Sequence, residues 1–185
     1  MITTTFLEIR TISDLHTPKE SGGNASGMHL RKIDCPLDCA SLYSAVGKSQ
    51  YWEVYRYGWT PSHWNRYLQR SDIEISFICA KDGTQIGYLE LQLHQDASVE
   101  IVNFGLRPEF IGQGLGGHAL TLAIRHCFEL GADGVWLHTC SLDHPSALKN
   151  YYARGFKFIR EEVADYLPLD AMPEAVGQVI ELARA

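Results

Sequence analysis

Four of the chain's glycines fall within six positions, at Gly112, Gly114, Gly116 and Gly117, and the segments on either side have different periods. Residues 99–106 read as a strand. Residues 116–130 carry apolar side chains at helical spacing, closed by Gly131. A strand that enters a helix through such a loop belongs to a mixed α/β arrangement. The glycines let the backbone turn tightly and gather several N–H groups, and the helix dipole favours an anion at that end. The expected ligand is therefore a phosphate group. The dipole contributes on the order of 0.3–1 kcal/mol when exposed, so affinity must also come from several charge-assisted amide hydrogen bonds and from the remainder of the ligand.

Three kinds of ligand compete for this loop. A nucleotide triphosphate loop ends in Gly-Lys-Ser/Thr, whereas Gly117-His118-Ala119 supplies neither the lysine nor the hydroxyl. The letters Gly112-Gln-Gly114-Leu-Gly-Gly117 spell GxGxxG. A dinucleotide fold, however, puts its first glycine directly after the opening strand and an acid about 20 residues further on. Here residues 108–111 intervene, and Asp143 lies too far along. The third kind depends on the rest of the chain.

Residues 6–12 and 28–33 read as short strands, separated by a Gly-, Ser- and Asn-rich loop at 17–27. Residues 36–46 form a helix, and Thr60-Pro61 opens another, with Thr as N-cap and Pro in the first turn. From Ile73 the period is two: residues 73–79, 85–94 and 99–106 make a three-strand meander. After the glycine loop and its helix come a strand at 134–139, a helix from His144 or Pro145 to Arg154, and a strand at 156–162. Residues 173–183 read as a further helix. The fold class is α/β (α+β), a mixed, mostly antiparallel central sheet flanked by helices.

At 185 residues the chain reads as a single domain, residues 1–185. Hydrophobic residues at 45% and charged residues at 21% describe a globular composition. The formal charge of -6, with no basic run, argues against a nucleic-acid partner. No apolar run approaches the roughly 18 residues that span a bilayer, and the N-terminus lacks a secretory pattern. Five cysteines without a CxxC pair suit neither a disulfide framework nor a zinc site. The expectation is a cytoplasmic protein without a metal or a membrane anchor.

The stretch Gly105-Leu-Arg-Pro-Glu-Phe-Ile-Gly-Gln-Gly-Leu-Gly-Gly-His-Ala-Leu120, followed by Ala147-Leu-Lys-Asn-Tyr151 and Arg154-Gly-Phe156, resembles the GNAT superfamily of acetyl-CoA-dependent N-acetyltransferases. The resemblance covers residues 28–162, leaving 1–27 as a strand plus loop and 163–185 as an extension. Residues 136–145, WLHTCSLDHP, are similar to a bacterial subgroup of that family. The resemblance implies the GNAT fold and acetyl-CoA as cosubstrate. It implies coenzyme contacts at Phe104, Gly105, Leu106, Ile111, Gly112, Gln113, Gly114, Leu115, Gly116, Gly117, His144 and Tyr151. Two positions depart from the family pattern. Ile111 occupies the usual Arg/Gln position of the loop, and His144 stands where Asn is frequent.

Acyl transfer to an amine needs a free amine and a proton for the departing thiolate. An alkyl ammonium of pKa about 10.4 costs about 4–5 kcal/mol to deprotonate at pH 7, so a base is useful. Glu100, on the strand leading into the loop, matches the position of a glutamate base in some family members, with Glu90 as the fallback. Tyr151 matches the family's general acid. Tyr152 faces about 100° away on the helix and cannot share that role. Cys140 beside His138 and His144 suggests a Cys-His nucleophile, but without an orienting third group the spacing is unspecific. Seven aromatics between Tyr51 and Tyr67 suit the acceptor side, where Trp52, Trp59, Glu53 and Glu90 are candidates for contact with a cationic amine. The expected activity is N-acetyl transfer to a primary amine of a small molecule or peptide through a ternary complex. The alternatives are a catalytically silent coenzyme-binding sensor or interaction domain, and transfer of a longer acyl chain or an aminoacyl group on the same fold. The two ends of the chain are read as completing the sheet or pairing with a second copy, as in a homodimer.

Overall fold

A computed structural model describes residues 1–19, 25–48, 52 and 54–165. The strands are β1 (Ile2–Ile9), β2 (His29–Lys32), β3 (Ile73–Cys79), β4 (Gln85–Leu93), β5 (Ser98–Leu106), β6 (Gly134–Cys140) and β7 (Lys157–Ala164). The helices are α1 (Pro36–Gly47), α2 (Pro61–Leu68), α3 (Leu115–Glu129) and α4 (Ala147–Ala153). The seven strands form one sheet in the order β2-β3-β4-β5-β6-β1-β7. Every pairing is antiparallel except β5 with β6.

Local chemistry accounts for most of these elements. In α2 the Thr60 hydroxyl accepts from the His63 backbone N–H, and the His63 ring accepts from the Thr60 N–H, with Pro61 in the first turn. The β3–β4 turn contains Gly83 at φ +87°, where a glycine is favoured. In α3, Leu115, Ala119, Leu120, Ala123, Ile124 and Cys127 are buried along one stripe.

Strand alternation gives the sheet two apolar faces. On one, α3 and Tyr151 of α4 pack against Leu7, Ile9, Leu89, Leu91, Val99, Ile101, Val135 and Leu137. On the other, Tyr43 and Val46 of α1 and Trp64 of α2 pack against Ile73, Ile75, Phe77 and Tyr88.

The N-terminus departs from expectation. The strand predicted at 6–12 is β1 at Ile2–Ile9, with Thr5, Leu7 and Ile9 facing the core, and Ile12–Asp14 is a single 3₁₀ turn. Although it precedes the segment that resembles the family, β1 lies inside the sheet, with Thr4–Ile9 paired to β6 and Ile2–Glu8 paired to β7. The helix of the 144–154 segment is shorter than predicted, at Ala147–Ala153. The helix read at 173–183 lies outside the described residues. No described helix is long and apolar enough to cross a membrane.

Candidate active site

The parallel pairing of β5 and β6 lasts only three positions, Ser98–Glu100 against Gly134–Trp136. Beyond Glu100 the strands diverge. A bulge accompanies the divergence: Leu91 pairs with Ile101 and Glu90 with Asn103, so Val102 is the extra residue of β5. Such a bulge bends its strand. The opening is a cleft of about 980 Å³ that reaches both faces of the sheet. From the α3 face it is lined by Leu115, Gly116, Asn150 and Tyr151; from the α1 face by Val46, Trp52, Asn103 and His138. Thr4 and Ile2 of β1 close the side beyond β6.

The glycine loop forms one end of this cleft, where Ile111, Gly112, Gly114, Leu115, Gly116 and Gly117 line the wall. Gly112 and Gly114 have φ of +81° and +76°, and Gly114 is the N-cap of α3. A Cβ at either would meet nothing within 4 Å, so these two serve backbone conformation. Gly117 serves packing instead, since a Cβ there would come 2.7 Å from Arg154 Nη1 and 3.3 Å from Pro18. Asn150 Nδ2 of α4 donates to the Gly116 carbonyl at 3.2 Å and ties the two helices together at this end. The first N–H groups of a helix have no partner within it. Those of α3 therefore stand at the cleft wall. The Gln113 side chain donates to the Glu109 carbonyl at 2.7 Å and is not part of that wall.

Tyr151 lines the cleft, and its ring lies 6.0 Å from Phe156. Burial, and then the charge of Asp143, raise its phenol above the ordinary tyrosine range. It stays protonated and able to donate. His144 also lines the cleft, with Nδ1 accepting from the Ser146 N–H. Cys140 is no activated nucleophile: burial, with Asp143 nearby, raises its thiol. Its Sγ contacts Asp143 Oδ1 at 3.8 Å. Asp143 also accepts from Thr139 Oγ1 and from the Cys140 N–H.

The acidic and aromatic candidates separate. Glu100 is the last β5 residue paired to β6; it is 8% exposed and not part of the cleft wall. One carboxylate oxygen lies 3.4 Å from His138 Nδ1 and the other 3.4 Å from His94 Nε2. Glu90, read as the fallback base and a substrate contact, requires correction. It is fully buried and accepts from Arg56 Nη1 at 2.8 and 3.0 Å, Tyr67 OH at 2.5 Å, Tyr88 OH at 2.8 Å and Asn103 Nδ2 at 3.2 Å. With its lone pairs engaged, it anchors the α1 face and reaches no cleft. Trp59 is not part of the cleft wall, and its ring packs on Trp64 and Tyr67 under the Arg56 guanidinium. Trp52 does line the cleft, against Tyr43 and Tyr88. Glu53 lies outside the described residues. Among the described residues, no group of three or more His, Cys, Asp or Glu side chains could hold a metal ion.

Sequence reasoning passed over Arg56, Asn103 and Lys149, the last two on the cleft wall. It weighed His138 only as a partner of Cys140 or a metal ligand. Two-residue alternation along β6 put His138 and Trp136 on one face, but no local pattern marks which face meets Glu100.

The sequence model described as the acetyltransferase (GNAT) family matches residues 37–156. No curated protein matches the chain. Among solved structures it is similar to a GCN5-related N-acetyltransferase from Kribbella flavida, at 19% identity and a TM-score of 0.58, over 84% of this chain and 54% of that one. It is also similar to an aminoglycoside acetyltransferase from an uncultured soil metagenomic sample, at 16% identity and a TM-score of 0.57, over 77% and 97% of the two chains. A third likeness is to the spermidine/spermine N-acetyltransferase of Vibrio cholerae, at 18% identity and a TM-score of 0.55, over 69% and 77%. The first of the matched structures are longer proteins, of which the alignment takes in 49–60%.

Proposed function

The chain belongs to the acetyltransferase (GNAT) family, and from that premise we propose that it is an acyltransferase that moves an acetyl group from acetyl-CoA directly to a primary amine of a small molecule or peptide. The observation that carries the reading is the cleft through the sheet, with the N-terminus of α3 at one end and Tyr151 on its wall. The family uses acetyl-CoA, and the residues present suit it. Amides of residues 112–117 would receive the pyrophosphate, as helix N-termini do, with Lys149 adding charge. The edge of β5 from Phe104 to Leu106, which β6 leaves unpaired, offers backbone groups to the amide-bearing arm. Tyr151 would protonate the leaving sulfur.

The acceptor would approach from the α1 face, where Trp52, Asn103 and His138 line the cleft. An aromatic ring such as that of Trp52 suits a cationic amine. Spermidine, aminoglycosides and peptide amines form the first panel, the first two because enzymes of similar fold carry those names.

The test pairs calorimetry of acetyl-CoA binding with thiol release over this panel. Binding with turnover on at least one amine is expected, and Tyr151→Phe should lower kcat by about 100-fold with coenzyme affinity retained. Unchanged turnover in that variant would remove the role of Tyr151. Failure to bind any coenzyme A thioester would overturn the function, and binding without turnover would favour a sensor.

A further inference from the structure

Resting on that reading of the cleft, we infer that Arg154 receives the 3′-phosphate of the coenzyme, so that the chain distinguishes coenzyme A from its 3′-dephospho form. Arg154 is the C-cap of α4, half-buried, and stands against the first turn of α3. A Cβ at Gly117, the third residue of α3, would come 2.7 Å from its Nη1. The bare glycine is what admits the guanidinium there.

Two features of that position are unfavourable until an anion joins them. The first is an uncompensated charge. Among the described residues no hydrogen bond or ion pair engages the Arg154 side chain, and its Nε is sealed from water without an acceptor. Asp14, whose backbone carbonyl lies against Gly155, accepts from Thr11 Oγ1 and Lys157 Nζ instead. Burial lowers the Arg154 guanidinium below the ordinary arginine range, and no acid nearby opposes that. The second is the helix. The N-terminal turn of α3 is the positive end of its dipole, where a cation is repelled and an anion held. An anion beside both would be attracted by both. A phosphate suits the pair, because a guanidinium offers a planar fork to its oxygens.

The coenzyme carries charge at its pyrophosphate and at its 3′-phosphomonoester, and location separates the two. Residues 108–117 contain no Lys or Arg, so the cations come from α4 and its cap. Gly112, Gly114, Gly116, Gly117 and Lys149 line the cleft, and Arg154 does not. The pyrophosphate, joined to the arm that enters the cleft, therefore falls to the wall and to Lys149. Arg154, outside the wall, is placed for the end of the coenzyme that remains outside. The phosphomonoester at that end carries about −1.5 to −2 charges at pH 7.

The experiment is calorimetry on the full chain with coenzyme A and with 3′-dephospho-coenzyme A. The wild type should bind coenzyme A about 10–100-fold more tightly, as charge-assisted hydrogen bonds to one phosphate would give. Arg154→Gln should lose that preference, binding coenzyme A only as well as the dephospho form. Lys149→Gln should weaken both forms alike and keep the ratio. With acetyl-CoA and the best amine of the panel, Arg154→Gln should raise KM and leave kcat, since the phosphate is remote from the reacting atoms. Wild-type affinities within about threefold of each other, or an Arg154→Gln chain that weakens both forms equally, would overturn this inference alone. Binding of neither form would overturn it together with the proposed function.

Discussion

Glu90 carries four protein partners at a site closed to water, and the cost of disturbing it is set by its own charge. Arg56, itself 6% exposed, supplies the compensating cation through two hydrogen bonds. Tyr67 and Tyr88 supply phenols held above their ordinary range by burial and by the Glu90 charge. Removing one member of a buried pair strands the other, which typically costs about 3–5 kcal/mol. Arg56→Ala should therefore lower the urea midpoint by the equivalent of about 3–5 kcal/mol, and a second change, Glu90→Gln, should recover part of that loss. Unaltered unfolding in Arg56→Ala would show that the pair contributes nothing net. Neither partner announces itself in sequence. Glu90 reads as an alternating strand residue, and Arg56 sits in a short 3₁₀ segment, Val54–Gly58, that no periodicity marks.

At the scale of elements, the loop before α3 divides its glycines between two physical tasks. Gly114 caps the helix in the left-handed region, which an L-residue enters at a cost of about 1–2 kcal/mol. Its missing Cβ would meet open space, so the cost of Gly114→Ala is conformational. That variant should lose about 1–2 kcal/mol of stability in thermal unfolding and, on the proposed function, bind acetyl-CoA more weakly, because Gly114 orients the first N–H groups of α3 toward the proposed pyrophosphate site. Gly117→Ala should leave the loop conformation alone and instead displace Arg154, whose Nη1 stands 2.7 Å from the new Cβ. Equal coenzyme affinity in Gly114→Ala and the wild type would refute the role given to the cap. The existence of this loop was legible in the sequence, since glycine spacing and the change of period are local signals. The division of labour was not, because Arg154 and Pro18 reach Gly117 from elsewhere in the chain.

For the molecule as a whole, the decisive element is β1. It bonds β6 on one edge and β7 on the other, so it joins the last strand to the rest of the sheet. Its Leu7 and Ile9 are 0% and 1% exposed, within the core shared with α3. Deleting residues 1–10 should therefore abolish cooperative thermal unfolding and acetyl-CoA binding together; a truncated chain that melts cooperatively and still binds would contradict this. The sequence by itself determined the β3–β4–β5 meander, the strand–glycine loop–helix unit and the helix that carries Tyr151. Period, turn glycines and the Thr60-Pro61 cap act between residues a few positions apart. Only the tertiary structure decided that β1 fills the interior of the sheet, that Glu90 is sealed beneath Arg56 and that His138, on the cleft wall, meets Glu100. Those facts depend on strand register between segments far apart in the chain, such as Phe6 opposite both His138 and Arg160. A hydrophobic pattern tells a strand which residues share a face, but not which neighbour that face will meet.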